Sequence, residues 1–273
     1  LHYPLRRQRQ MCIRDRIQLI MEGASKIINE IYGNQEDIDF KKKYDESPLT
    51  LADLRSNDFI SSSLNNLYPD IPIISEEGKE KKIKENLFWL IDPLDGTKEF
   101  IDKSEEFTIN VALVKDGEPI FGAIYIPTKS IFFVGGIDFN AFSEKKGEKK
   151  ALKTSFSQEN CRISVSKSHQ TAKEEEFVEL FKDKFKKVEL FPAGSSLKLC
   201  LIASGDCHIY PRFGDVSQWD IAAGHAILKA SGGNILDLTM NAIKYNSDRN
   251  MKINGFYALS NVAFFSQILQ QNQ

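Results

Sequence analysis

One stretch constrains what this chain can fold into more than any other: Trp89-Leu90-Ile91-Asp92-Pro93-Leu94-Asp95-Gly96-Thr97-Lys98-Glu99-Phe100. It opens as an apolar run of the kind a buried strand needs. It then sets Asp92 and Asp95 on either side of Pro93-Leu94 and closes on Gly96-Thr97. A lone buried carboxylate is very costly, so a fold that buries this strand must bring the two acids partners. Strand ends that finish in paired acids suit a hard cation held through oxygen ligands.

The rest of the chain narrows the setting. Its 273 residues allow one large domain or two small ones. The net charge of -2 disfavours a strongly basic nucleic-acid binder, so no nucleic-acid partner is expected. Cys12, Cys161, Cys200 and Cys207 lie far apart with no C-x-x-C pair. That argues against a zinc site or a disulfide framework and fits a cytoplasmic protein. No apolar run reaches the roughly 18 residues of a membrane-spanning helix, so stable membrane insertion is not expected. Residues 1–16 carry Arg6, Arg7, Arg9, Arg14 and Arg16 but no apolar segment fit for a signal peptide. They read as a foreign leader and are assigned no function.

From Ile17 the pattern becomes helical, with Ile17, Ile20, Met21, Ala24, Ile27, Ile28 and Ile31 on one face and Gly33 as a stop. Lys41-Lys42-Lys43 is a charge run whose last lysine precedes a candidate site segment. Ser47-Pro48-Leu49-Thr50 leads into a helix ending near Leu64–Tyr68. Thr50 and Asp53 have the spacing of a helix-start capping pair, so Asp53 serves either as a cap or as a group that orients water. Ile71–Ile74 reads as a short strand ending in Ser75-Glu76-Glu77-Gly78, and 79–84 as a basic surface loop. Phe107–Val114, Pro119–Ile126 and Ser130–Val134 follow, with an Asp116-Gly117 turn and a further hairpin within 135–150. These predict an antiparallel sheet.

A soft boundary near Ser155 separates residues 17–155, which carry most of the candidate metal site, from residues 156–273. The two parts form one catalytic unit. The second alternates strands (162–166, 187–191, 207–210, 234–238 and 255–259) with helices (174–185, 197–203, 221–230 and 262–270). Such alternation after a β-rich block predicts layered α/β structure. Pro211-Arg212-Phe213-Gly214 reads as the turn out of the third of these strands.

Glu76, Asp92, Asp95 and Asp220 supply four carboxylates suited to Mg²⁺. Two such ions about 3.5–4 Å apart can activate water and neutralise a phosphoryl group, the requirements of phosphate-ester hydrolysis. No His/Cys set competes. Gly194-Ser195-Ser196 at a helix start is a candidate anion cradle, with Lys198 adding charge, or a plain serine cap. Asp220 has a capping partner in Ser217. His169 taken alone is an ordinary surface or capping residue.

Taken together and in order, these segments resemble a known superfamily. They are Ser47–Asp53 (S-P-L-T-L-A-D), Ser75–Gly78, Trp89–Ile101, Glu106–Leu113 (E-F-T-I-N-V-A-L), Ser166–His169, Gly194–Lys198, Tyr210–Gly214 and Trp219–His225. The set resembles the lithium-sensitive, Mg²⁺-dependent phosphatases of the inositol monophosphatase and fructose bisphosphatase superfamily, from Ile17 to about Leu259. The Lys98-Glu99-Phe100 continuation is similar to the 3'(2'),5'-bisphosphate nucleotidase branch.

The resemblance implies an α/β αβαβα sandwich and two or three Mg²⁺ ions. Glu76, Asp92 and the Leu94 carbonyl would hold one, with Asp92 bridging to a second held by Asp95 and Asp220. Asp53 and Thr97, with Glu76 nearby, would position and deprotonate the attacking water. The Gly96 and Thr97 N–H groups would touch the scissile phosphate, with Asp220 beside the substrate. His169, Ser195 or Ser196, Lys198 and Arg212 would hold the nucleotide and its other phosphate. The implied reaction takes the 3'-phosphate from adenosine 3',5'-bisphosphate, with phosphoadenylyl sulfate as a second substrate. The alternatives are an inositol or other sugar monophosphatase on the same fold, and a non-catalytic nucleotide-binding sensor.

Overall fold

The computed structural model describes residues 2–34, 40–42, 48–78, 85–167, 171–248 and 252–270. The first part begins with α1 (His2–Asn34), β1 (Phe40–Lys42), β2 (Pro48–Thr50), α2 (Leu51–Leu67) and β3 (Ile73–Ser75). It continues through β4 (Leu87–Asp95), α3 (Thr97–Ile101), β5 (Thr108–Lys115), β6 (Glu118–Ile126), β7 (Ile131–Gly136), β8 (Phe139–Lys145) and β9 (Glu148–Ala151). The second part comprises β10 (Asn160–Ser166), α4 (Ala172–Lys184), β11 (Lys187–Ala193), α5 (Leu197–Ala203), β12 (Ile209–Arg212), β13 (Val216–Ser217) and α6 (Gln218–Ser231). It ends with β14 (Asn234–Leu236), β15 (Lys252–Ile253), β16 (Phe256–Leu259) and α7 (Val262–Gln270).

Strands β3 to β9 form one seven-stranded sheet in sequence order, parallel at β3–β4 and antiparallel elsewhere. The second sheet has the order β11-β10-β12-β16-β14. Side chains alternate across both sheets, as the period of a strand requires, and they sort into three cores. Trp89, Ile91, Val111 and Ala123 face α1 and α2. Phe88, Leu90, Ala112 and Ile124 face α5 and α6, which meet Tyr210, Phe256 and Ala258 of the second sheet. Ile209, Tyr257 and Leu259 turn the other way, onto Phe177 and Phe181 of α4 and Phe265 of α7. The result is five layers, αβαβα. With both faces of β4 covered, Phe88 through Leu94 are all buried, so the strand reads as an unbroken apolar run up to its acids.

Helix α1 runs unbroken through residue 16, the bound expected for a leader. Ile13 already packs on the outer core, and the Arg14 guanidinium lies 5.6 Å from the Phe142 ring centroid. Pro211 and Arg212 are strand residues rather than a turn, because β16 pairs with β12 through Arg212↔Phe256. Among the described residues no helix is long and apolar enough to cross a membrane, and Cys161, Cys200 and Cys207 are buried free thiols.

Helix α6 carries Asp220 and lies on the seven-stranded sheet over Gly122 and Gly135, which pair across β6–β7. A Cβ at Gly122 would fall 2.1 Å from the Ala223 carbonyl oxygen, and one at Gly135 would fall 2.8 Å from the Ile227 Cα. These glycines let the helix backbone seat directly on the strands. Gly122→Ala is expected to lower unfolding free energy by about 1–3 kcal/mol or more, the cost of overpacking. Urea denaturation is the measurement; an unchanged midpoint contradicts the seat.

Candidate active site

The site begins at the C-terminal end of β4. Pairing with β5 runs regularly to Asp92↔Asn110 and then shifts register before Asp95↔Thr108. This bulge re-aims the strand end. Asp92 is 1% exposed, and its Oδ1 accepts from the Leu94 N–H at 3.1 Å. Glu76 is placed beside it by the parallel β3, with its N–H donating to the Ile91 carbonyl at 3.1 Å. Helix α2 braces both strands: Ser56 Oγ donates to Pro93 O at 2.8 Å, and Ser75 Oγ to Asn57 Oδ1 at 2.7 Å. Asp220 arrives from the first turn of α6, where its Oδ2 accepts from the Ser217 N–H at 3.0 Å in a capping box.

The four carboxylates feel one another. Burial pushes Asp92 well above the usual carboxylate range, and the charges of Glu76, Asp95 and Asp220 push it further. Burial raises Asp95 to about 6 against the opposing pull of Lys198 and of hydrogen bonds from Asn110 and Ser196. Asp220 is raised by burial and by Asp95 and Glu76, with Ser217 and Lys252 opposing. Among the described residues no three His, Cys, Asp or Glu side chains already stand in a closed ligand geometry. The fit to cations lies in the donor chemistry, which is all oxygen, and in a concentration of negative charge that the protein leaves partly uncompensated.

Asp53, 1% exposed, is both a cap and a partner in this site. Its Oδ2 accepts from the N–H of Thr50 at 2.8 Å and from the Thr50 hydroxyl, closing the capping box of α2. Its Oδ1 accepts from Thr97 Oγ1 at 3.1 Å. One carboxylate thus serves the helix start with one oxygen and the site with the other. Thr97 opens α3 directly after Gly96, whose φ of 91° lies in the left-handed region that favours glycine.

A pocket of about 160 Å³ opens beside these acids, lined by Asp95, Asp220, Ser195, Lys198 and Arg212 among others. Among the described residues the Ser195 hydroxyl and Arg212 Nε are buried there without hydrogen-bond partners. The Lys198 ammonium is occupied: it donates to the carbonyls of Ser195 at 2.8 Å and Ala193 at 3.2 Å and lies 5.3 Å from the Tyr210 ring centroid. Burial lowers its pKa to about 8, against the pull of Asp95 and Glu99.

The expected backbone cradle is corrected here. The Gly194 N–H donates to Glu106 Oε2 at 2.9 Å and the Ser196 N–H to Asp95 Oδ2 at 2.6 Å, so both face carboxylates. Nor is Ser196 a side-chain cap of α5, because its hydroxyl meets Thr108 and Asn110. His169 and Lys43, and the basic loop 79–84, lie outside the described residues. Sequence reasoning missed Thr108, Asn110 and Glu106 as members of the site. The available signal was Thr108 and Asn110 as alternate polar positions inside the apolar run of β5.

The model of the "Inositol monophosphatase family" matches residues 10–264. The chain is 40% identical over 250 residues to a 3'(2'),5'-bisphosphate nucleotidase CysQ of Buchnera aphidicola, covering 89% of this chain and 92% of that one. It is 34% identical over 245 residues to the protein of the same description in Escherichia coli strain K12, covering 89% and 97%. Among solved structures it is similar to CysQ from Bacteroides thetaiotaomicron, with a TM-score of 0.79, 31% identity, and 90% and 97% of the two chains covered.

A pH dependence follows from Asp95. Its folded pKa of about 6 exceeds the ordinary carboxylate value, so its ionisation opposes folding as pH rises through that interval. In chelator, Asp95→Asn is expected to be more stable than the parent by about 1–3 kcal/mol at pH 7.5, with the gap closing toward pH 4. His208 and His225, lowered to about 4 by burial, shift stability the opposite way but are common to both proteins and cancel in the difference. Paired urea titrations across this range check it; a difference independent of pH contradicts it.

Proposed function

The chain belongs to the inositol monophosphatase family, and on that premise we propose that it is a 3'(2'),5'-bisphosphate nucleotidase. It hydrolyses the 3'-phosphate of adenosine 3',5'-bisphosphate to AMP and phosphate, with phosphoadenylyl sulfate as a second substrate. The observation that carries the chemistry is the Thr97 Oγ1–Asp53 Oδ1 hydrogen bond beside the carboxylate-bearing end of β4. The specificity is supported by the bisphosphate nucleotidase relatives and by Ser195 and Arg212, which bring to the adjoining pocket polar atoms without partners among the described residues.

In the proposed mechanism Thr97 accepts a hydrogen bond from the attacking water while donating its own proton toward Asp53. Asp53 is the final proton acceptor, with Glu76 nearby. Glu76, Asp92 and the Leu94 carbonyl, and Asp92, Asp95 and Asp220, would hold two or three Mg²⁺ ions, which when bound acidify water and neutralise phosphoryl charge. The Gly96 and Thr97 N–H groups orient the scissile phosphate, with Asp220 beside it. Water's oxygen bonds to phosphorus, the ester bond to the 3' oxygen breaks, and that oxygen leaves to be protonated. Arg212 suits the second phosphate through its guanidinium fork. Ser195, whose hydroxyl has no partner among the described residues, makes the serine contact in preference to Ser196. Lys198 acts through the Ser195 carbonyl and its charge, and His169 completes the nucleotide contacts.

Side-by-side phosphate release is the test. With Mg²⁺ the protein is expected to favour adenosine 3',5'-bisphosphate over inositol 1-phosphate by at least about tenfold in kcat/KM, a modest discrimination for one built contact set. Preference for the inositol ester would make it a sugar monophosphatase. Binding of the nucleotide without phosphate release would make it a sensor. Thr97→Val is expected to lower kcat by about 10²–10⁴, the usual contribution of general acid–base assistance. Lithium is expected to inhibit.

A further inference from the structure

The surroundings of Asp95 hold more information than a ligand role requires. Its Oδ2 accepts from the Ser196 N–H at 2.6 Å and from Asn110 Nδ2 at 3.2 Å. The Asn110 carbonyl oxygen then faces Ser196 Oγ at 2.7 Å and can only accept, so the serine hydroxyl donates to it. Thr108 Oγ1 lies 2.7 Å from the same serine oxygen, which has already given its proton, so the threonine donates. Its single proton goes there rather than to Asp95, 3.4 Å away. The opposite amide orientation would set the Asn110 carbonyl against a carboxylate oxygen and is excluded by repulsion. A one-way chain results: Thr108 to Ser196 to Asn110 to Asp95.

All three supporting residues are buried, Thr108 at 0%, Asn110 at 1% and Ser196 at 3% exposure. They lock Asp95 through Oδ2, while among the described residues Oδ1 takes no hydrogen bond, and Asp95 lines the pocket. The same contacts fix the turn on the other side. Ser195 has a left-handed φ of 46°, and its neighbours Gly194 and Ser196 are tied to Glu106 and Asp95. The serine offered to the substrate is thus placed by the carboxylate offered to the cation.

We propose that Ser196, with Asn110 and Thr108, is a positioning residue that joins the Asp95 carboxylate and the Ser195 turn into one unit, so that cation binding and phosphate binding are linked. This rests on the reading of Asp95 as a cation ligand. If each site holds the other in its binding geometry, loading either raises the affinity of the other by the same factor.

The experiment measures equilibrium Mn²⁺ binding from the free-ion EPR signal, with and without inorganic phosphate. The proteins compared are the parent, Asp95→Asn, Ser196→Ala, Ser196→Thr and Asn110→Leu. Ser196→Ala and Asn110→Leu are expected to weaken Mn²⁺ binding about tenfold, a usual loss for a group that orients a metal ligand. They are also expected to reduce the gain that phosphate confers and to raise KM for the nucleotide more than they lower kcat. Ser196→Thr, which keeps the hydroxyl, is expected to restore all three. Near-UV circular dichroism confirms that the compared proteins are folded. Should Ser196→Ala not fold, Thr108→Val, which removes only the first donor of the chain, carries the same expectation. Parent-like Mn²⁺ affinity and phosphate linkage in these variants, with Asp95→Asn weakened, would overturn the proposal alone. Parent-like affinity in Asp95→Asn would overturn the ligand reading and the proposal with it.

Discussion

The rest of the structure depends on holding like charges together out of water. Asp92 is buried to 1% exposure and is opposed by burial itself and by three neighbouring carboxylates. Left to themselves such groups would separate or protonate. They stay together because each sits on an element whose position is set elsewhere. Strand β4 is clamped between two apolar layers, β3 is held to it by parallel pairing, and α6 is seated on glycines. The hydrophobic layers contribute free energy that offsets the repulsion, and such a set of oxygen donors suits a hard cation.

The layering also explains why the site forms where it does. The carboxylates come from the C-terminal ends of β3 and β4 and from the N-terminus of α6, the middle layer. The Ser195 turn lies between β11 of the second sheet and α5 of that same layer. The pocket is therefore a seam between the two sheets, with acids on one wall and Ser195, Lys198 and Arg212 on the other. The two halves of the chain are joined at Ser196, whose N–H reaches Asp95 across 101 residues.

Much of this was legible in the sequence. The unbroken apolar run before Asp92 reports a strand covered on both faces, and the spacing of Thr50 with Asp53 and Ser217 with Asp220 reports the two helix starts, because these are local effects. The five layers and the pairing of Asp220 with the strand acids came through family resemblance; local pattern alone did not reveal that contact. What was misread depends on contacts between distant residues. No local pattern shows that Glu106 lies against the Gly194 N–H, 88 residues on, so that turn read as an open cradle. Thr108 and Asn110 are polar positions in an apolar strand, but the Ser196 hydroxyl that gives them meaning comes from another sheet's connection. In the arginine-rich start Ile13 sits among charged neighbours, so its packing on the core is not visible in the local pattern.

The double duty of Asp53 carries a consequence for inheritance. One of its oxygens closes the start of α2 and the other receives Thr97. Replacing it removes the N3 half of the capping box together with the acceptor of the Thr97 hydroxyl. Asp220 is built the same way at the start of α6. A lineage of this fold that discards either acid also gives up a hydrogen bond at the start of the helix that bears it. The helix starts and the candidate site therefore share the same two residues.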